Sequence, residues 1–188
     1  MSEIGKLITY ASQNPIIFDT ETTSLHGEVI EVAAVDLDGN VLLNSYCKPV
    51  TKITTGAYQV HGISEQMVAD APLFYELWDA HIMPLLQLGR PLLSYNMAFD
   101  FRMVRNSYHS YGQAFGPLPS PTACIMEAYA VHWGVWRNRR GYVWQSLVNA
   151  CRQQNVVIEE KAHSALGDTL RALEILKILM EAHKINVG

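Results

Sequence analysis

The chain has little that would tie it to a membrane, a disulfide framework or a zinc site. No stretch approaches the roughly 18 apolar residues of a membrane span. The opening MSEIGKLITYASQNP has no apolar run suited to export, so a cytoplasmic location is expected. Cysteine is scarce: Cys47, Cys124 and Cys151 are odd in number, far apart and without CxxC spacing. That pattern indicates neither paired disulfides nor zinc, and the three read as reduced, buried, small apolar residues. Charge is also sparse, at 17% of residues, and the net value of -4 lacks the basic excess usual in nucleic-acid binders. What the sequence has in quantity is apolar residues, 49% of 188. That suffices for one compact domain spanning 1–188, uninterrupted by repeats or low-complexity tracts.

Periodicity organises this material. PIIFDT and the two halves of EVIEVAAVDLDGNVLLNSYCKP read as three strands, the last two joined by a tight turn at Asp38, Gly39 and Asn40. Phe74, Leu77, Trp78, His81, Ile82 and Leu85 recur at helical intervals, which predicts a helix ended by Gly89 and Pro91 and places His81 as a hydrogen-bonded core residue. PLLSY reads as a short buried strand and AFDFRMVRNSY as a helix. Further helices are expected over 124–132 and 143–153, with a loop containing Gly134 and Gly141 between them. The clearest helix covers about 165–182, with Leu166, Leu170, Leu173, Leu176 and Met180 in one stripe. Strands first, then helices around one further strand, indicate an α/β sandwich with a mixed sheet. Asp19 should lie near the carboxyl end of the first strand, where open α/β sheets place their sites.

Four carboxylates in apolar settings then stand out: Asp19 and Glu21 in IIFDTET, Asp100 in SYNMAFD, and Asp168 in HSALGDT. An unpaired charge in such surroundings is costly, and divalent metal is the obvious partner. These four account for the entire net charge, and two bound cations would reverse the local sign. In an extended segment Asp19 and Glu21 point the same way and Thr20 the other. Asp36 and Asp38 share that spacing, but a solvated hairpin end explains them. His163 and Asp168 would lie about 140° apart on a continuous helix. They can serve one site only if His163 precedes the helix on a loop; otherwise His163 caps or packs the helix start. Histidine, with an ordinary pKa near 6.5, suits proton abstraction from water at neutral pH.

The ordered set FDTETTSL, YNMAFD and HSALGDT resembles the three motifs of the DEDDh branch of the DnaQ-like 3′-to-5′ exonucleases, over about residues 15–182. The resemblance implies a ribonuclease-H-like three-layer α/β sandwich, with a mixed five-stranded central sheet whose second strand runs antiparallel and helices on both faces. It implies that Asp19, Glu21, Asp100 and Asp168 hold two Mg²⁺ or Mn²⁺ ions, that His163 is the general base, and that 5′-mononucleotides are released singly. The substrate implied is nucleic acid with a free 3′ end. Thr22, Leu25, His61, Ile63, Asn96 and Phe99 resemble the residues that grip the terminal nucleotide. Core packing is the alternative for Leu25, Ile63 and Phe99, and a turn role for His61. Ser24 and Tyr95 stand where the family commonly has glycine and histidine, which bears on loop shape and on hydrogen bonds behind the ligands.

Within the family, TETTSLHGEVIEVAAVDLDG and ISEQMVADAP resemble the compact exonuclease X type, and HSALGDT is also similar to ribonuclease T. Single-stranded DNA is the favoured expectation. The alternatives are an exoribonuclease of the ribonuclease T or oligoribonuclease kind, and a non-catalytic polymerase-associated subunit. A polymerase or a second copy of the chain is a further candidate partner. The loop WGVWRNRRGYVW holds the basic cluster Arg137, Arg139 and Arg140 among Trp133, Trp136, Tyr142 and Trp144. Its composition suits gripping a strand; solvated arginines over tryptophans turned into the core explain it equally well.

Overall fold

A computed structural model describes residues 2–139, 141–160 and 163–183. Three strands open the sheet: β1 (Ile16–Thr22), β2 (Val29–Val35) and β3 (Val41–Tyr46). The β2–β3 turn is held by Asp36, whose Oδ1 accepts from the backbone N–H groups of Asp38 and Asn40, with Gly39 at φ 87°. Two short strands, β4 (Leu92–Ser94) and β5 (Thr122–Cys124), complete a sheet of order β3-β2-β1-β4-β5. β2 pairs antiparallel with both neighbours, while β1, β4 and β5 run parallel. The result is a three-layer α/β sandwich with a mixed five-stranded sheet, as the motifs implied.

Alternation along β1 decides what each face meets. Phe18 points toward Trp78, with ring centroids 5.3 Å apart in an edge-on contact. Asp19 and Glu21 point to the opposite face, where the long helix α9 (Ala165–Ala182) crosses β1 and β2. Thr169 of α9 touches the sheet directly, its hydroxyl donating to the Ala33 carbonyl at 3.4 Å and to that of Ala165 at 2.7 Å. The other face carries α6 (Met97–Ser110) and the helical run from Phe74 to Gln87.

That run departs from the predicted helix. α4 (Phe74–Leu77) and α5 (Met83–Gln87) are joined by a π-helical turn over Trp78–Ile82. The wider turn lets Phe74, Trp78, Ile82 and Leu86, spaced four apart, all be fully buried on one side. Pro84 has no N–H to sustain a regular ladder there. The phase change carries His81 outward, so it is exposed and not the core residue expected.

Other differences are at short elements. The opening segment forms α1 (Glu3–Ala11), capped by Ser2, with Leu7 and Ala11 buried. α2 (Thr55–His61) and α3 (Glu65–Val68) were not foreseen. The chain just before Cys124 is strand β5, too short for alternation to show, and α7 (Ile125–Trp133) follows it. The expected loop after Gly134 contains a small hairpin, β6 (Trp136–Arg137) with β7 (Gly141–Tyr142). α8 (Leu147–Gln154) therefore begins later than predicted, capped by Ser146. All three cysteines are free and buried. Among the described residues no helix is long and apolar enough to cross a membrane.

Candidate active site

Three separate parts of the chain converge at the carboxyl end of β1. Asp19 and Glu21 project from the strand toward α9, and Asp168 meets them from the first turn of that helix. Ser164 caps α9, its hydroxyl accepting from the Gly167 N–H at 3.2 Å, so His163 lies just outside the helix. This is the loop geometry that one shared site requires. His163 has a positive φ of 58°, an uncommon conformation for a residue with a Cβ. Its Nδ1 lies 4.0 Å from Asp168 Oδ2. Ligand atoms of Glu21, His163 and Asp168 fall within 4.8 Å of one another.

Asp100 arrives from the other side of the sheet, in the first turn of α6, and is 2% exposed. The Thr20 hydroxyl, alternating away from Asp19 and Glu21, donates to Asp100 Oδ1 at 2.9 Å. Asp100 is thus tied to β1 through one residue while its charge acts on the next.

Burial raises the carboxyl pKa values. Asp19 is held well above the aspartate value of 3.8, first by desolvation and then by the charges of Asp100, Asp168, Glu21 and Glu31. Desolvation pushes Asp100 up to about 7, against the opposing hydrogen bond from Thr20. Asp168 is raised by burial too, although Arg171 and His163 oppose the shift. An all-oxygen cluster of mutually repelling carboxylates fits hard divalent cations, whose charge reverses the environment of every member.

A stability prediction follows. A folded-state carboxyl pKa above the unfolded value means that the native protein binds protons more tightly between 3.8 and about 7. Stability without metal should therefore be highest below that window and fall as pH rises through it. In EDTA the melting temperature should be several degrees lower above pH 7 than near pH 5. Mg²⁺ or Mn²⁺ should restore it at the higher pH and do little at the lower, where protons compete. A metal-induced shift equal at both pH values would contradict this assignment of charge.

Sequence reasoning missed two anchors. Glu31 faces Glu21 across the β1–β2 ladder, a like-charge juxtaposition that would ordinarily be unfavourable. Its Oε2 accepts the Ala165 N–H at 2.8 Å, which ties the start of α9 to the sheet. The signal was present: it is the single charge inside the apolar run VIEVAAV. Arg171 donates to Asp168 Oδ1 at 3.2 Å and to the carbonyls of Ile158 and Glu160 at 3.3 and 2.7 Å. It thereby ties residues 158–160 to α9. Its place three residues after Asp168 looks like an ordinary helical ion pair in sequence.

Beside the carboxylates lies a cleft of about 620 Å³ whose lining includes Glu21, Thr22, Leu25, His61 and Phe99. Leu25 is 72% exposed there, so core packing does not account for it. Gly27 lets its loop close, since a Cβ at that position would stand 2.0 Å from Thr23 Oγ1. Arg102 reaches the same loop, donating to the Leu25 carbonyl at 3.4 Å and lying 5.4 Å from the Phe99 ring centroid. His61 is buried and its Nδ1 accepts the Ile63 N–H at 2.9 Å, a turn role alongside its place in the cleft wall. Ile63 lies in a small apolar cluster with Ile30 and Val68, and Asn96 caps α6. Neither of these two is among the cleft residues. Ser24 lines the cleft, and Tyr95 is buried with its hydroxyl donating to the Gln145 carbonyl at 2.8 Å.

Comparison with known proteins places this geometry. A family model described as Exonuclease (RNase_T) matches residues 16–176. The chain is 33% identical over 170 residues to an uncharacterized exonuclease, CP81, of Escherichia phage 186, covering 87% of each protein. In fold it is similar to exonuclease X, solved in complex with 5′ overhanging duplex DNA, with a TM-score of 0.65 at 24% identity over 90% of this chain and 92% of that one. It is also similar to the nuclease domain of 3′hExo, a DEDDh family member bound to rAMP, with a TM-score of 0.70 at 15% identity over 94% and 96%.

Proposed function

Because the chain belongs to the DnaQ-like exonucleases of the RNase_T family, which use divalent metal ions, we propose that it removes nucleotides one at a time from 3′ ends, with single-stranded DNA as its favoured substrate. The observation that carries this reading is the meeting of Asp19, Glu21, Asp100 and Asp168, with His163 at the rim, beside a cleft lined by Leu25 and Phe99. The four carboxylates hold two Mg²⁺ or Mn²⁺ ions. Such ions, when bound, stabilise charge on the scissile phosphate and acidify water.

The protein's own groups do the rest. The terminal base occupies the cleft against Leu25 and Phe99, an apolar platform that accepts any base. Thr22 and His61 lie on the cleft wall. Water loses a proton to His163, whose Nδ1 lies 4.0 Å from Asp168 Oδ2, and attacks phosphorus. The bond from phosphorus to the 3′ oxygen breaks, that oxygen takes up a proton from solvent, and a 5′-mononucleotide and a new 3′ hydroxyl result. Ribonucleic acid is the second reading, favoured by the rAMP bound to the 3′hExo nuclease domain; the DNA bound to exonuclease X, a duplex with a 5′ overhang, favours deoxyribose.

The deciding assay follows end-labelled DNA and RNA oligomers, single- and double-stranded, with and without EDTA. Stepwise shortening from the 3′ end, faster on DNA and abolished by EDTA, is expected. Metal-independent cleavage, or none on any substrate, would sink the proposal. Leu25→Ala should raise KM about tenfold, since burying a leucine side chain against a base is worth roughly 1.5–3 kcal/mol. The same substitution should leave the melting temperature unchanged, because the side chain is exposed. A large loss of stability would instead make it a core residue.

A further inference from the structure

The hairpin between α7 and α8 presents its aromatic side chains to solvent. Trp136 is 59% exposed and Trp144 64%, while Tyr142 is also exposed, so of the two readings the sequence left open, the one that turns these tryptophans into the core does not hold. Trp136 pairs with Tyr142 across the two strands, their rings edge-on at 4.9 Å. The Val143 N–H donates to the Val135 carbonyl, so pairing continues beyond the named strands. Alternation then puts Tyr142 and Trp144 on the same face as Trp136. Arg137 and Arg139 are exposed at the turn, Arg139 with a positive φ of 65°, and Arg140 lies outside the described residues.

Exposed rings in a row are unfavourable in water unless something covers them. The flanking guanidinium groups specify what: a polyanion with flat apolar faces. The base of the hairpin is rooted near the carboxylates, because the Gln145 carbonyl accepts the hydroxyl of Tyr95. Tyr95 immediately precedes Asn96, the cap of the helix that carries Asp100. From these observations we infer that the hairpin is a second nucleic-acid contact, stacking bases of a single strand upstream of the nucleotide held in the cleft while Arg137 and Arg139 meet its phosphates. The inference rests on the exonuclease reading for what is done to the strand. It adds a cationic grip to a chain of net charge -4.

The test compares a dinucleotide, which fills the cleft alone, with an oligothymidylate of about twenty nucleotides, long enough to span one stacking groove. Two double variants of the full chain are used, Trp136→Ala/Trp144→Ala and Arg137→Glu/Arg139→Glu. Both should hydrolyse the dinucleotide at the wild-type rate, and both should raise KM for the long oligomer by roughly tenfold to a hundredfold. In the arginine variant, the salt dependence of oligomer affinity should become shallower by about 0.7 per lost phosphate contact. Affinity is also measured in EDTA by fluorescence anisotropy of a 5′-labelled oligomer. If wild-type protein hydrolyses nothing, the exonuclease reading fails while anisotropy still decides whether the hairpin binds a strand. Unchanged oligomer KM and anisotropy-derived affinity in both variants would overturn the inference. So would loss of dinucleotide hydrolysis in both, which would make the hairpin part of the fold. Conversion of a dimer to a monomer without a change in strand affinity would mark the face as a subunit interface and overturn it equally.

Discussion

Asp19→Asn should abolish hydrolysis and, in the same protein, raise the melting temperature measured in EDTA above neutral pH. The two effects have one cause. Asp19 is desolvated and faces the charges of Asp100, Asp168, Glu21 and Glu31, so ionising it costs free energy through both burial and repulsion. An amide of the same shape removes that cost, and a gain of about 1 kcal/mol, roughly 2–4 °C for a chain of this size, is expected. Activity should fall by at least about 10³-fold, the scale on which removal of a single transition-state stabilising group is felt. Adding Mn²⁺ should then stabilise the wild type more than the variant, so that the order of melting temperatures narrows or inverts. A variant that loses activity and also loses stability in EDTA would show Asp19 to be a structural residue.

His163→Ala tests a different point, because the histidine lies close enough to Glu21 and Asp168 for either of two roles. As general base, its removal should lower kcat by about 10²–10⁴-fold. The metal concentration giving half-maximal rate should stay unchanged, as should the metal-induced rise in melting temperature. As a ligand, its removal would shift both. The exposed position of His163 outside the capped helix favours the first outcome. A shifted metal midpoint would reassign it.

Much of this site was legible before any coordinates. IIFDTET shows two carboxylates on one side of a strand, because alternation is a local property of extended chain. The apolar stripe of the last helix is equally local, and it placed Asp168 at the helix start. The three motifs together implied the mixed five-stranded sheet, with its second strand antiparallel, that is found here. What failed to show were features set by neighbours distant in sequence. Strand β5 has only three residues and exists because β4 pairs with it. His81 follows the helical stripe in sequence, yet a π-helical turn rotates it into solvent. The hairpin tryptophans resembled core residues by composition, since hydrophobicity alone does not say which way a side chain faces.

By itself, the sequence determined the donor chemistry: carboxylate oxygens, one imidazole near the start of the last helix, and an apolar strand and helix to carry them. These are properties of residue type and of spacings below about one helical turn, where backbone geometry leaves few choices. Only the tertiary structure decided that Asp100 would reach β1 through Thr20, that Glu31 would hold the head of α9, and that Arg171 would tie residues 158–160 to that helix. It also decided the charge state, because desolvation and mutual repulsion arise only when segments as far apart as residues 19, 100 and 168 are packed together and water is excluded between them.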